Sequence, residues 1–122
     1  MEVWYNPSCS KCRIASSALT DADITYTERR YLETPPTSAE IEDVLARLDL
    51  QPWEIVRTGE DVAKELGLSG WARDDTTRRQ WIEAMVEHPK LIQRPIVVLD
   101  DGRAVIARDD ESVAEIVASG EQ

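Results

Sequence analysis

Asn6-Pro7-Ser8-Cys9-Ser10-Lys11-Cys12-Arg13 decides how the rest of this chain is read. The stretch holds both cysteines of the protein. A β-prone segment, Glu2-Val3-Trp4-Tyr5, precedes it, and a helical pattern, Arg13-Ile14-Ala15-Ser16-Ser17-Ala18-Leu19, follows it. A strand, a tight turn and a cysteine at a helix start make a reactive arrangement. The first N–H groups of a helix have no intrahelical partner and point at the first cysteine, and the positive end of the dipole favours thiolate over thiol. Cys9 is therefore expected to be a low-pKa nucleophile, with Lys11 and Arg13 adding positive charge close by. Cys12 follows one turn later, within reach for a disulfide. A C-x-x-C pair is also half of a zinc knuckle, but the chain has no other cysteine and one histidine, so a tetrahedral site within it lacks soft ligands. Two inert buried thiols fit poorly with flanking Pro, Ser, Lys and Arg, and redox chemistry is the favoured reading.

A chain of 122 residues is long enough for one domain with a real core and too short for two independent ones. A net charge of −10 argues against nucleic acid as a direct partner, since a polyanion needs a basic surface. A small anion stays open, because a local arginine cluster overrules the global charge. No apolar run approaches membrane-spanning length, and the first residues lack the charged-then-apolar pattern of a signal peptide. A cytoplasmic monomer, with no membrane association, is the expectation, and in that compartment a C-x-x-C pair cycles instead of serving as a permanent staple.

Along the chain, Asp21-Ala22-Asp23 breaks the first helix, and Ile24-Thr25-Tyr26-Thr27 reads as a second strand. A strand–helix–strand unit of this length predicts parallel strands with a right-handed crossover. Pro35-Pro36 closes this part, and Thr37 or Ser38 caps a helix whose apolar positions are Ile41, Val44, Leu45 and Leu48. From Thr37 to about His88 the pattern is helical: Pro52 at the first turn of a short helix, a second from Glu60 to Leu66 ended by Gly67, and a third from Asp75 or Thr76 to His88. Trp53, Trp71 and Trp81 read as core fillers. Ile96-Val97-Val98-Leu99 is a continuous apolar run and so a buried central strand. Asp100-Asp101-Gly102 signals a hairpin, with Ala104-Val105-Ile106 as its return. Asp109-Asp110-Glu111 suit the dipole of a last helix better than a metal, and His88 suits a helix end. The order is β-α-β, a helical insertion over about 37–89, then β-β-α. That predicts an α/β fold with a thioredoxin-like mixed four-stranded sheet and Arg94-Pro95 immediately before its third strand.

The motifs Asn6-Pro7-x-Cys9 with Arg13, Tyr31-Leu32-Glu33-Thr34-Pro35-Pro36-Thr37, Glu65-Leu66-Gly67-Leu68, and His88-Pro89-x-Leu91-Ile92-x-Arg94-Pro95-Ile96-Val97-Val98 span nearly the whole chain. Through them the sequence resembles the glutaredoxin-coupled arsenate reductase family, and more widely the group that includes the Spx-type regulators. The resemblance implies an oxidoreductase in which Cys9 attacks arsenate held by arginines. Arg94 stands at the motif's arginine, Arg57 matches a second and Arg108 a third, and Arg13 of the cysteine motif is expected to join them in binding the oxyanion. It implies no bound cofactor; electrons would come from an external thiol, glutaredoxin or thioredoxin. It also implies a cis peptide before Pro95. Two positions depart from the family pattern. Tyr5 stands where a histidine is usual, and Cys12 where a small hydroxyl residue is usual. The second departure is shared with Spx-type regulators and dithiol glutaredoxins, so a redox-sensing regulator or a general dithiol oxidoreductase is the alternative. Chemically, guanidinium forks suit the paired oxygens of a tetrahedral oxyanion, and Cys12 is expected to resolve the Cys9 adduct to a disulfide.

Overall fold

A computed structural model describes residues 1–121. By its contacts the chain divides into two compact units, one formed by Met1–Thr34 with the chain from Arg94 onward, the other by Pro35–Gln93. No helix among the described residues is long and apolar enough to cross a membrane.

The first unit carries the sheet. Its strands β1 (Glu2–Trp4), β2 (Thr27–Arg29), β3 (Ile96–Val98) and β4 (Ala104–Ile106) lie in the order β2-β1-β3-β4. β1 and β2 are parallel, whereas β1–β3 and β3–β4 are antiparallel. This is the expected mixed sheet of a thioredoxin-like fold. Val3, Val97 and Val105 stand in register across three strands, and period-two alternation puts them on one face. Helices α1 (Ser10–Asp21) and α5 (Asp110–Gly120) pack together. Ala15 and Leu19 from α1 and Ile116 from α5 join Val3, Val97, Leu99 and Ala107 in one buried cluster. Ile96 and Val97 are fully buried, as a central apolar strand requires.

One boundary differs from the sequence reading. The second strand is Thr27–Arg29, not Ile24–Thr27. Asp23 takes a left-handed conformation (φ 59°), and the Ile24 N–H still bonds to Leu19 O at 2.9 Å, so the chain is completing the turn off α1 there. The ladder begins when the Thr27 N–H reaches Met1 O at 2.9 Å. Ile24 and Tyr26 are apolar because they pack on the cluster, not because they lie in the strand.

The Pro35–Gln93 unit is helical: α2 (Ser38–Leu48), α3 (Asp61–Leu66) and α4 (Arg78–Glu87), with 3-10 turns at Pro52–Glu54, Leu68–Gly70 and Pro89–Leu91. The last long helix starts at Arg78, later than Asp75 or Thr76. Asp74 accepts hydrogen bonds from the Thr76 N–H and hydroxyl, which holds a turn where the sequence suggested a cap. Gly67 ends α3 at φ 69°, where a side chain would be strained. Trp81 is fully buried, with Trp71 and Trp53 edge-on at 5.3 and 6.5 Å, and its indole N–H donates to Ala72 O at 2.9 Å. Arg78 ties α4 to Glu42 of α2 and to Gln51, each at 2.8 Å.

Thr37 caps α2 with a full capping box: its hydroxyl accepts from the Glu40 N–H at 3.2 Å, and the Glu40 carboxylate accepts from the Thr37 N–H at 3.1 Å. Thr37→Ala is expected to lower stability by about 1 kcal/mol in urea unfolding, and Thr37→Ser by much less. Equal loss in both variants would point to packing instead of the cap.

Candidate functional site

The loop after β1 is built to present a sulfur. The buried Asn6 side chain accepts the Ser8 N–H at 2.9 Å, and the Asn6 carbonyl accepts the Cys9 N–H at 3.0 Å. Pro7, with its fixed φ, occupies the first central position of this turn. The turn delivers Cys9 to the N-cap of α1 in extended conformation, φ −97° and ψ 120°. The Arg13 N–H then closes the first helical turn on Cys9 O at 3.2 Å.

Cys9 therefore sits where serine or aspartate commonly caps a helix. Its side chain makes no cap hydrogen bond. The Cys12 N–H is nonetheless close enough to favour negative charge on the Cys9 sulfur. Both cysteines are free thiols, Cys9 7 % exposed and Cys12 fully buried. Burial alone would push both pKa values up. For Cys9 the Cys12 N–H and thiol and the Arg94 guanidinium outweigh it, and the pKa falls below its ordinary value. For Cys12 burial wins, and with the Cys9 charge adding to it the pKa is pushed up to about 12, against a pull from the Asn6 N–H. Adjacent groups pushed apart in this way give one thiolate and one retained proton.

Arg94 comes from the other side of the site. It immediately precedes Pro95, their peptide is cis, and the Pro95 carbonyl accepts the Ala107 N–H at 3.0 Å. Its guanidinium faces Cys9 and Tyr31. Burial pulls its pKa down, but these two acids push it up further, so it stays charged. Among the described residues Arg94 has no carboxylate partner, and its Nε–H is buried without a hydrogen-bond acceptor.

The other basic residues named from the sequence each have their own surroundings. Arg13 is exposed and donates to Pro7 O at 3.0 Å, tying the helix start to its loop. Lys11 is exposed. Arg108 is exposed after β4, and its charge adds to the pull of Ser112 in holding the Asp109 carboxyl low. Arg57 belongs to the Pro35–Gln93 unit, where it is half-buried, ion-paired to Glu60 and bonded through its N–H to Leu91 O. Tyr5 is half-buried against the first unit's core, and its N–H bonds to Arg29 O at 2.7 Å. Tyr31 and Asn6 stand within the sequence motifs, where no role was expected of either. Asn6 could have been found as an Asx-turn residue before Pro, whereas nothing local marks Tyr31.

The profile of the ArsC family matches residues 4–116, nearly the whole chain. The chain belongs to the ArsC family. It is 56 % identical over 118 residues to a Streptomyces viridochromogenes protein described as an uncharacterized protein in the glnII region, covering 97 % of this chain and 99 % of that one. It is 34 % identical over 118 residues to an arsenate reductase of Neisseria meningitidis serogroup A, covering 96 % of this chain and 97 % of that one. The structure of an arsenate reductase from Vibrio cholerae superposes with a TM-score of 0.81 at 34 % identity, covering 98 % of each chain. The family match thus takes in the Cys9 loop and the Arg94–Pro95 segment.

Because the Arg94 cation stabilises the thiolate, removing it should raise the Cys9 pKa. The pH at which iodoacetamide alkylation of Cys9 reaches half its maximal rate is expected below that of a free thiol, and higher in Arg94→Gln. Peptide mass spectrometry distinguishes Cys9 from Cys12. An unchanged profile in the variant would dissociate Arg94 from the thiolate.

Proposed function

We propose that this ArsC-family chain is an arsenate reductase-like thiol oxidoreductase. The observation that carries this reading is Arg94: a charged guanidinium without a carboxylate partner among the described residues, facing a thiol of lowered pKa. A half-buried cation whose Nε–H has no acceptor suits a tetrahedral oxyanion, whose oxygens only accept. The names of the Neisseria and Vibrio relatives support arsenate as that oxyanion.

In the proposed reaction the Cys9 thiolate attacks arsenic(V), an S–As bond forms, and one oxygen departs as hydroxide or water. Arg94 and the start of α1 offset the repulsion between thiolate and anion. Cys12 then attacks the Cys9 sulfur. The S–As electron pair stays with arsenic, which leaves as arsenite, and the two thiols become a disulfide. Adduct formation removes the charge on Cys9 that helps keep Cys12 protonated, so the second thiol becomes easier to ionise once it is needed. Attack within one chain has a large effective concentration. A thioredoxin- or glutaredoxin-type dithiol, or a small thiol, would reopen the disulfide.

Arsenate reduction assayed in parallel with thioredoxin, glutaredoxin and small-thiol systems tests the reading. Mass spectrometry after one turnover should show an intrachain loss of two hydrogens in the wild type. Cys12→Ser should give only a mixed disulfide with added thiol, and more slowly. Arg94→Lys keeps the charge but loses the fork, so arsenate should protect Cys9 from alkylation about tenfold less well. A chain that cycles its disulfide but never consumes arsenate would be a redox-sensing regulator or a general dithiol oxidoreductase.

A further inference from the structure

Tyr31 follows β2 in a turn fixed by bonds from the Glu33 and Thr34 N–H groups to Arg30 O, at 3.0 and 2.9 Å. Its ring is fully buried, yet its hydroxyl is a buried polar group without a hydrogen-bond partner. That is an unfavourable state for a residue whose packing a phenylalanine would supply equally well. The hydroxyl lies within electrostatic reach of Arg94, Cys12 and Cys9, and no other group is felt more strongly there. Arg94 offers only donors. The phenol proton therefore has no acceptor, and beside it the buried Arg94 Nε–H has none either. Two orphan donors beside a nucleophilic thiol call for a ligand that only accepts.

We propose that Tyr31 is a catalytic residue, donating a hydrogen bond to the oxyanion held at Arg94 and protonating the oxygen that leaves when Cys9 attacks. This rests on the oxyanion reduction proposed above. The balance is complete. As the Cys9 S–As bond forms and the As–O bond breaks, the departing hydroxyl takes the phenol proton and leaves as water. The phenolate, beside the Arg94 cation, then takes the Cys12 proton, which must go before Cys12 can attack. Tyr31 thus ends the cycle neutral, and Cys12 attacks as thiolate. Burial, which raises the phenol's pKa despite the opposing pull of Arg94, keeps it a donor in the resting state.

Tyr31→Phe removes the hydroxyl and keeps the ring. Urea unfolding should show stability unchanged or raised, since an unsatisfied buried group is gone. Arsenate and phosphate should each protect Cys9 from alkylation about tenfold less well than in the wild type, as expected for a lost hydrogen bond to a charged group. At saturating arsenate, single-turnover formation of the Cys9–Cys12 disulfide should slow by about a hundredfold, the scale of a lost general acid. A folded variant with wild-type protection and rate overturns the proposal and leaves arsenate reduction standing. A variant that loses stability overturns it too, by assigning the hydroxyl to the fold. If neither anion protects the wild type, the oxyanion reading fails and this inference with it.

Discussion

A thiolate that is nearly excluded from solvent has lost most of its hydration, and something in the protein has to replace it. Here the replacement comes from two sources: the Cys12 N–H at the start of α1, and the Arg94 guanidinium. The first is local, fixed by the Asn6–Cys9 turn. The second is supplied by the sheet. Because β1 and β3 are antiparallel with Trp4 opposite Ile96, the residues leaving β1 lie beside those entering β3. Because β1 and β2 are parallel with Trp4 opposite Arg29, the residues leaving β2 reach the same end. Cys9, Arg94 and Tyr31 converge there for that reason, from segments far apart in sequence.

The two thiols are chemically alike, and their environments separate them. Cys9 faces a cation and a helix start, whereas Cys12, one turn further on, is fully buried and feels the charge on Cys9. The charge on one sulfur thus helps hold the proton on the other. Neutralising Cys9 in a covalent adduct relaxes that constraint, giving the proposed sequence of attack and resolution a built-in order. The cost is a site containing buried donors without acceptors, the phenol of Tyr31 and the Nε–H of Arg94. Functional sites are where such unfavourable groups tend to persist.

Local signals carried much of the fold. The Thr37 capping box, Gly67 after α3, the Asp109 cap on α5 and the apolar run of β3 are each made by neighbouring residues, so each could be read from a short window. Where a local signal was outweighed, the boundary moved. Ile24 and Tyr26 look like strand residues because they are apolar, but they serve the cluster under the sheet, and the ladder starts only where the β1 backbone is available. The start of α4 moved for a similar reason, as Asp74 spends its carboxylate on a turn.

By itself the sequence determined the order of elements, the helix start at the dithiol, the identity of the paired thiols and the arginine before Pro95. Those are properties of residues within a turn or two of one another, governed by backbone geometry and periodicity. Only the tertiary structure decided which charges meet. It set Arg94 against Cys9, left Arg13 on its own loop and Arg108 beside Asp109, and put Tyr5 on the core. It also buried Tyr31 with its hydroxyl unpaired, which no neighbouring residue could foretell. Electrostatic effects depend on distance in space and on burial, and both are set by how the strands pair and not by their place along the chain.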